Sequence, residues 1–342
     1  VNKGNRVMSL EISGQVHRAL LHWSDGQERN TYSVDPTNWG TYTDFEGNAD
    51  FEKGWEAGFL LQIEYPVNES ADLSQDVTTT PATPVIGAAN IYLEQEDLGR
   101  ITLGFQTEAH DHVTESDLSG TDQFSGPAAS DWNGGFRIIG PSSGKVDSDE
   151  LTWSSIGADN IGDGDDANAV RYDTPEIQGF QTSVSWASDG VAALALQYSY
   201  DGTLLGVEAG VAAARYYEAE RSPCIDIEPR GGCTTIGASI SMLHKPSLIS
   251  ITLAGGQILD DPSDSFLKLP GSDRWFYGKV AQKWSLIDVG GTTFYGEYFN
   301  GLRHGQLALE ANPGGGSEAA DFSATTEAFG GRIMQSFDAA EM

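Results

Sequence analysis

Polar and apolar residues alternate with a period of two along most of the chain, the pattern of β-strands whose two faces meet different surroundings. The clearest run is Trp55–Tyr65, in which every second residue from Trp55 is apolar while Glu56, Gln62 and Glu64 lie on the other face. The alternation predicts about fourteen strands, near 10–16, 39–46, 55–65, 88–95, 99–107, 168–174, 177–188, 191–200, 204–217, 234–244, 248–259, 274–286, 291–300 and 324–337.

Sustained helical spacing of apolar residues is hard to find between these runs, so the strands should form an all-β antiparallel meander. Alternation alone fits two architectures. A soluble sandwich buries its apolar faces between two sheets, whereas a membrane barrel turns the apolar face to lipid and the polar face to a lumen.

The lengths of the connections favour the barrel. Tight turns occur at Asp97-Leu98-Gly99, Asp189-Gly190 and Asp201-Gly202, and long polar segments occupy 66–85, 108–166, 218–233, 260–273 and 301–323. Short turns at one rim and long loops at the other are typical of outer-membrane barrels. Aromatic residues near strand ends also suit an interfacial girdle: Trp23, Trp55, Tyr65, Trp186, Tyr198, Tyr216, Trp275, Trp284, Tyr295 and Tyr298.

The net charge of the chain argues against one class of function. The 342 residues include 50 acidic and 19 basic ones, a formal net charge of −31, which argues against a nucleic-acid partner because phosphate contacts need clustered Lys and Arg. No apolar run approaches the roughly 18–20 residues of a transmembrane helix. The chain opens VNKGNRV without a basic and apolar leader, so we expect a mature form whose signal peptide has been removed.

Two cysteines, Cys224 and Cys233, flank a Pro- and Gly-containing polar stretch. Such a close pair predicts a small loop disulfide formed in an oxidising compartment. The alternatives are two free thiols or half of a metal site.

No nucleophile-elbow, metalloprotease or P-loop motif is present, so we do not expect an enzyme. A secreted soluble β-sandwich lectin or glycosidase is an alternative, because paired carboxylates are abundant.

Three segments, Val170–Trp186, Leu98–Phe105 and Ile12–Leu21, resemble segments of Gram-negative general diffusion porins of the alphaproteobacterial type. Val170–Trp186 resembles their strand–turn–strand signature, Leu98–Phe105 the strand leading into their third loop, and Ile12–Leu21 their first strand. The resemblance implies a sixteen-stranded, homotrimeric barrel in the bacterial outer membrane that passes ions and small hydrophilic solutes passively. It also implies contact with outer-membrane lipid and lipopolysaccharide, and a third loop, here 107–167, that folds into the lumen and constricts it.

The chain also departs from that pattern. It stops at Phe337-Asp-Ala-Ala-Glu-Met342, so we expect one porin domain over 1–342 with its final strands absent from this chain. Where the family carries eyelet arginines, this chain has Tyr42, Asp44 and Phe105. The remaining candidates for a basic pore wall are Arg18, Arg100 and Arg171.

The predicted constriction loop is strongly acidic. Carboxylates at a narrow passage concentrate cations and repel anions, so we expect cation preference from Glu115, Asp117, Asp159, Asp163, Asp165 and Asp166. Any of them could instead be solvated loop surface. No cofactor is required, although Asp159, Asp163 and Asp165 have the alternating oxygen ligands of a possible calcium site. An alternative is a channel selective for sugars or another defined solute, with Trp132, Phe136 and Trp153 as a stacking path.

Overall fold

The alternating segments form sixteen strands, all paired antiparallel, in the part of the chain that the computed structural model describes: residues 8–138, 152–156, 160–217, 232–259, 273–287, 290–308 and 319–336. The first eight are β1 (Met8–Gln15), β2 (Ala19–Ser24), β3 (Arg29–Val34), β4 (Tyr42–Asp50), β5 (Trp55–Glu64), β6 (Val85–Gln95), β7 (Gly99–Thr107) and β8 (Asp166–Asp173). The others are β9 (Phe180–Ala187), β10 (Val191–Asp201), β11 (Leu205–Tyr216), β12 (Thr234–His244), β13 (Ile249–Leu259), β14 (Arg274–Ile287), β15 (Gly290–Ala308) and β16 (Ala319–Gln335).

Fourteen of these strands form one sheet in the order β1-β4-β5-β6-β7-β8-β9-β10-β11-β12-β13-β14-β15-β16. They correspond one for one to the fourteen runs predicted from the sequence. The other two, β2 and β3, pair with each other as a hairpin within the first connection. The sheet is therefore a meander in which each strand after β4 pairs with its chain neighbour.

Helical structure is confined to one short α-helix, α1 (Ser130–Asn133), and three single 3-10 turns within the described residues. None of the helices among the described residues has the length and apolar composition that a membrane-crossing helix requires.

The connections differ between the two rims of the sheet. At one rim the turns within the described residues are short: 51–54, 96–98, 174–179, 202–204 and 245–248. The opposite rim carries the long connections, which confirms the predicted layout, with two differences. Asp189-Gly190 is a tight turn at the long-loop rim, between β9 and β10, and β15 and β16 extend into the predicted loop 301–323 because their pairing continues to Ala308 and Ala319.

The two faces of the sheet are inverted relative to a soluble protein. Large apolar side chains such as Leu194, Val211 and Leu253 are exposed on the outer face, whereas Ser239 and Ser241 are buried on the inner face. An exposed apolar outer face with a polar interior is the pattern of a membrane barrel.

The sheet curls so that its two edge strands approach the same short segment. Gln123 Nε2 lies 3.5 Å from Gln15 Oε1 at the end of β1. The next residue, Phe124, accepts hydrogen bonds at its carbonyl oxygen from Arg332 of β16 and from Tyr295 of β15, the latter at 3.3 Å. Residues 122–124 thus contact strands at both edges of the curled fourteen-stranded sheet.

Candidate functional site: the lumen and its inner loop

The connection between β7 and β8, residues 108–165, is called the inner loop, and its described parts lie against the inside of the wall. The backbone N–H of Ala109 donates to Ser185 Oγ of β9 at 2.9 Å, and that of Leu118 donates to Ser241 Oγ of β12 at 2.9 Å. On the return path, Trp275 Nε1 of β14 donates to the Ile161 carbonyl at 2.7 Å. Small hydroxyl residues on the inner face leave room for the loop and satisfy its backbone groups.

A buried ion pair fixes the loop to the far wall. Lys279 Nζ of β14 lies 2.5 Å from Asp117 Oδ2, with side chains only 2% and 5% exposed. The same ammonium donates to Ser125 Oγ at 2.8 Å and to Thr121 Oγ1 at 3.1 Å. All three donors of the lysine are therefore used on this loop.

The part of the loop that leads into β8 also lies close to the wall, at Gly162. This residue has φ +97°, and a Cβ there would overlap the carbonyl oxygen of Ile236 on β12. Only glycine combines the left-handed backbone with so close an approach.

A cavity of about 600 Å³ lies on the other side of the loop, against β4–β8, and is called the main cavity because the loop lines it. It adjoins a cavity of about 670 Å³ through Arg100, Arg171 and Asp173. Besides Asp35, six carboxylates line the main cavity: Glu64, Glu69, Asp111, Asp165, Asp166 and Asp173. The arginines that line it are Arg100 and Arg171. The described lining of this cavity is therefore predominantly negative.

The structure places the predicted acidic residues in different surroundings. Asp165 and Asp166 line the main cavity, and Glu115 lines a cavity of about 280 Å³, called the second cavity. Asp117 also borders the second cavity, but its charge is paired with Lys279. Asp159 lies outside the described residues.

Asp163 is held inside the loop. Its Oδ2 accepts a hydrogen bond from Asn160 Nδ2 at 2.9 Å, and the same amide donates to Glu115 Oε1 at 3.0 Å. Burial, with the nearby carboxylates of Glu115 and Asp111, raises the pKa of Asp163 well above its usual range. Burial likewise raises the pKa of Glu115 and of Asp111.

The predicted basic residues also differ. Arg18 lies between β1 and β2, off the barrel wall, with Nη1 3.4 Å from Asp35 Oδ2 and donating to the Val67 carbonyl. Arg100 of β7 lies over the Tyr92 ring, its Cζ 3.6 Å from the centroid. Arg171 of β8 pairs with Asp173 at 3.0 Å and donates to the carbonyls of Thr107 and Glu108, where the loop begins.

The aromatic residues considered for a sugar path have other partners. Phe136 is buried with Tyr32 and Leu73, and Trp153 packs against the same cluster beside the β2–β3 hairpin. Trp132 lies under the Arg332 guanidinium, 4.6 Å away. None of the three is among the residues that line the main and second cavities.

The sequence analysis did not identify four lumen residues as candidates for the functional site: Lys279, Glu64, Trp39 and His112. Lys279 left a detectable signal, because it is a lysine at an inward position of the alternating β14 run, between buried Tyr277 and Ala281. Trp39 and His112 come from separate connections, and only the fold stacks their rings, with centroids 6.4 Å apart.

Within the described residues, no group of three or more His, Cys, Asp or Glu side chains is arranged to hold a metal ion. Since Asp159 lies outside that part of the chain, the calcium site stays a prediction. Cys233 is disulfide-bonded and directly precedes β12 at the long-loop rim. The sequence contains one other cysteine, Cys224, which lies outside the described residues.

Comparisons with known proteins match this architecture. A family model described as Gram-negative porin matches residues 5–222. Among solved structures, OmpT, an in-vitro folded outer membrane protein of Vibrio cholerae in its trimer form, is 13% identical with a TM-score of 0.51, over 95% of this chain and 89% of that one. The anion-selective porin of Comamonas acidovorans is 11% identical with a TM-score of 0.46, over 96% and 97%. No curated protein sequence matches.

Proposed function

This chain belongs to the Gram-negative porins, and from that premise we propose that it is a passive, cation-preferring channel for ions and small hydrophilic solutes. The family is located in the outer membrane, and we propose that the chain is a diffusion channel there rather than an enzyme. The finer properties, charge preference, constriction and assembly, are argued below from the lumen.

The charge of the main cavity carries the proposal. Its lining combines Asp111, Asp165 and Asp166 from the loop and the start of β8 with Glu64 from the facing wall. Of the two arginines, Arg171 is offset by Asp173 at 3.0 Å. A lumen with surplus carboxylates raises the local concentration of cations and disfavours anions.

The loop 107–167 supplies the constriction in this proposal. Its described parts occupy the side of the lumen formed by β9–β16 and leave the cavity on the side of β4–β8. Solutes then diffuse down their gradient past the carboxylates, and the remaining cross-section sets the size limit.

We further propose that three copies associate through their apolar outer faces, in contact with outer-membrane lipid and lipopolysaccharide. Large apolar side chains on that face, such as Leu194 and Val280, are more than half exposed in the single chain. A trimer form is also stated for the similar Vibrio cholerae protein.

A planar bilayer under a KCl gradient tests the proposal. We expect conductance steps in multiples of three and a reversal potential that marks K⁺ over Cl⁻. The double variant Asp165→Asn/Asp166→Asn should move the permeability ratio toward one. The matched control, Asp50→Asn/Glu52→Gln, removes two exposed charges at the short-turn rim and should leave the ratio unchanged. Anion preference in the wild-type protein would refute the proposal.

A further inference from the structure

Two cavities of the lumen adjoin at the same side chains. Asn38, Trp39 and His112 line both the cavity of about 600 Å³ and the cavity of about 280 Å³. A solute that moves from one cavity to the other therefore passes these three residues. Asn38 and Trp39 belong to the connection before β4, whereas His112 belongs to the inner loop.

Trp39 is held by its backbone rather than by its side chain. Its carbonyl oxygen accepts a hydrogen bond from His17 Nδ1 at 2.6 Å, and the carbonyl of Gly40 accepts one from Gln15 Nε2 at 2.9 Å. The indole therefore stays in place because the turn beneath it is anchored to the end of β1.

His112 presents its ring to the open lumen. Its side chain is 57% exposed, and the imidazole stacks on Trp39 with 17° between the ring planes. The backbone has φ +58°, a left-handed conformation that His and Asn adopt more readily than most residues. The ring therefore lies in the passage between the two cavities.

The imidazole is surrounded by carboxylates. Its Nδ1 lies 3.6 Å from Asp111 Oδ2, and its Nε2 lies 3.9 Å from Glu115 Oε2. The connection that carries Trp39 has no charged residue from Thr37 to Thr41. The other charged groups that face this region are Asp163, Asp165, Asp166, Glu64 and Arg171. Across the second cavity they are Asp122, Asp131, Glu208 and Asp117, the last of which is paired with Lys279.

We propose that His112, stacked on Trp39 at the junction of the two cavities, sets the cation preference of the channel according to pH. This inference rests on the proposed cation-preferring function and deepens it. With a neutral imidazole, Asp111 and Glu115 act on a passing ion with their own charges. A protonated imidazole adds one positive charge between them, beside the ring of Trp39, whose centroid is 6.4 Å away.

The size of the effect follows from Coulomb's law. One unit charge at a distance of about 5 Å changes the occupancy of a passing monovalent ion by about fourfold at the dielectric constant of water. Cation permeability should therefore fall by about fourfold between pH 8 and pH 5, the interval over which imidazole ordinarily changes charge.

The experiment compares reversal potentials at pH 8 and pH 5 for the wild type, His112→Asn and His112→Arg in planar bilayers. Asparagine tolerates the left-handed backbone and carries no charge at either pH, so this variant should lose the roughly fourfold part of the pH effect that the imidazole contributes and keep the part due to the carboxylates. His112→Arg should show the low-pH preference already at pH 8. His244→Asn, at the end of β12 on the exposed face, is the control and should behave like the wild type.

The outcomes separate this inference from the proposed function. A wild-type channel without cation preference at pH 8 defeats the proposed function. A cation-preferring wild type whose full pH response persists in His112→Asn overturns the role of His112 and assigns the response to the carboxylates. Stepwise conductance of ordinary size confirms in each case that the variant is folded.

Discussion

Lys279 Nζ lies 2.5 Å from Asp117 Oδ2, although 162 residues separate the two along the chain. The pair joins the wall strand β14 to the inner loop in a place from which solvent is nearly excluded. The positive charge of Lys279 therefore neutralises that of Asp117, and the pair anchors the inner loop to the wall.

Removing the lysine should loosen the loop. Lys279→Met leaves the Asp117 carboxylate buried and unpaired, a change that typically costs about 3–5 kcal/mol. We expect a lower temperature of thermal unfolding in detergent and a noisier open-channel current. The double variant Lys279→Met/Asp117→Leu should recover much of the lost stability, because no uncompensated charge remains. Wild-type stability and current noise in Lys279→Met would show that the loop is held by its other contacts.

A single methyl group added at Gly162 should also displace the loop. Gly162→Ala places a Cβ against the backbone of Ile236 at a φ of +97°, so the returning segment must move away from β12, at a cost of about 1–3 kcal/mol. The matched control is Gly126→Ala in the same loop, because a Cβ at Gly126 has open space. We expect altered unitary conductance for the first variant and wild-type conductance for the second. Equal conductances would exclude close packing at Gly162.

Two positions on β10 test which face of the wall meets lipid. Leu194 is 53% exposed on the outer face, whereas Gln197 lines the second cavity. An arginine on the lipid face near the middle of the bilayer costs about 2–4 kcal/mol, so Leu194→Arg should fold into lipid vesicles less stably than the wild type. Gln197→Arg adds the same side chain to the aqueous lumen and should fold normally. The reverse order of stabilities would mean that the faces are assigned wrongly.

The barrel strands could be predicted from the sequence because each alternating run spans the wall and carries its own periodic signal. The run at Trp55–Tyr65, for example, corresponds to β5 at Trp55–Glu64. The β2–β3 hairpin could not be found in this way. Its strands are six residues long, and it is stabilised by packing of Tyr32 against Leu73 and Phe136, contacts that depend on distant segments.

The lumen was harder to predict than its wall. The sequence showed that the inner loop is acidic, but it did not show which side chain would pair with each carboxylate. Asp117 meets Lys279 and Asp163 meets Asn160 only after the loop has folded against the wall. Arg18 shows the same limit, because residues 16–18 lie beyond β1 and direct its guanidinium to Asp35.

The buried carboxylates of the loop should make the stability of the protein depend on pH. The pKa of Asp163 is raised by burial and by the charges of Glu115 and Asp111. A carboxyl whose pKa is higher in the folded state than in the unfolded chain is stabilising when protonated, and that contribution is lost as the pH rises through the folded-state pKa. Asp163→Asn keeps an oxygen that can accept the hydrogen bond from Asn160 while removing the charge.

We therefore expect Asp163→Asn to raise the temperature of thermal unfolding at pH 8 and to make that temperature less dependent on pH than in the wild type. Asp50→Asn removes an exposed carboxylate of β4 and should change neither quantity. The same reasoning predicts that Asp163→Asn alters cation preference less than Asp165→Asn. Asp165 is exposed in the cavity, whereas Asp163 is half-buried, hydrogen-bonded to Asn160 and not part of the cavity lining. If Asp163→Asn lowers the unfolding temperature instead, the carboxylate is charged and stabilising in the folded loop, and Asp163 belongs with the charges that select cations.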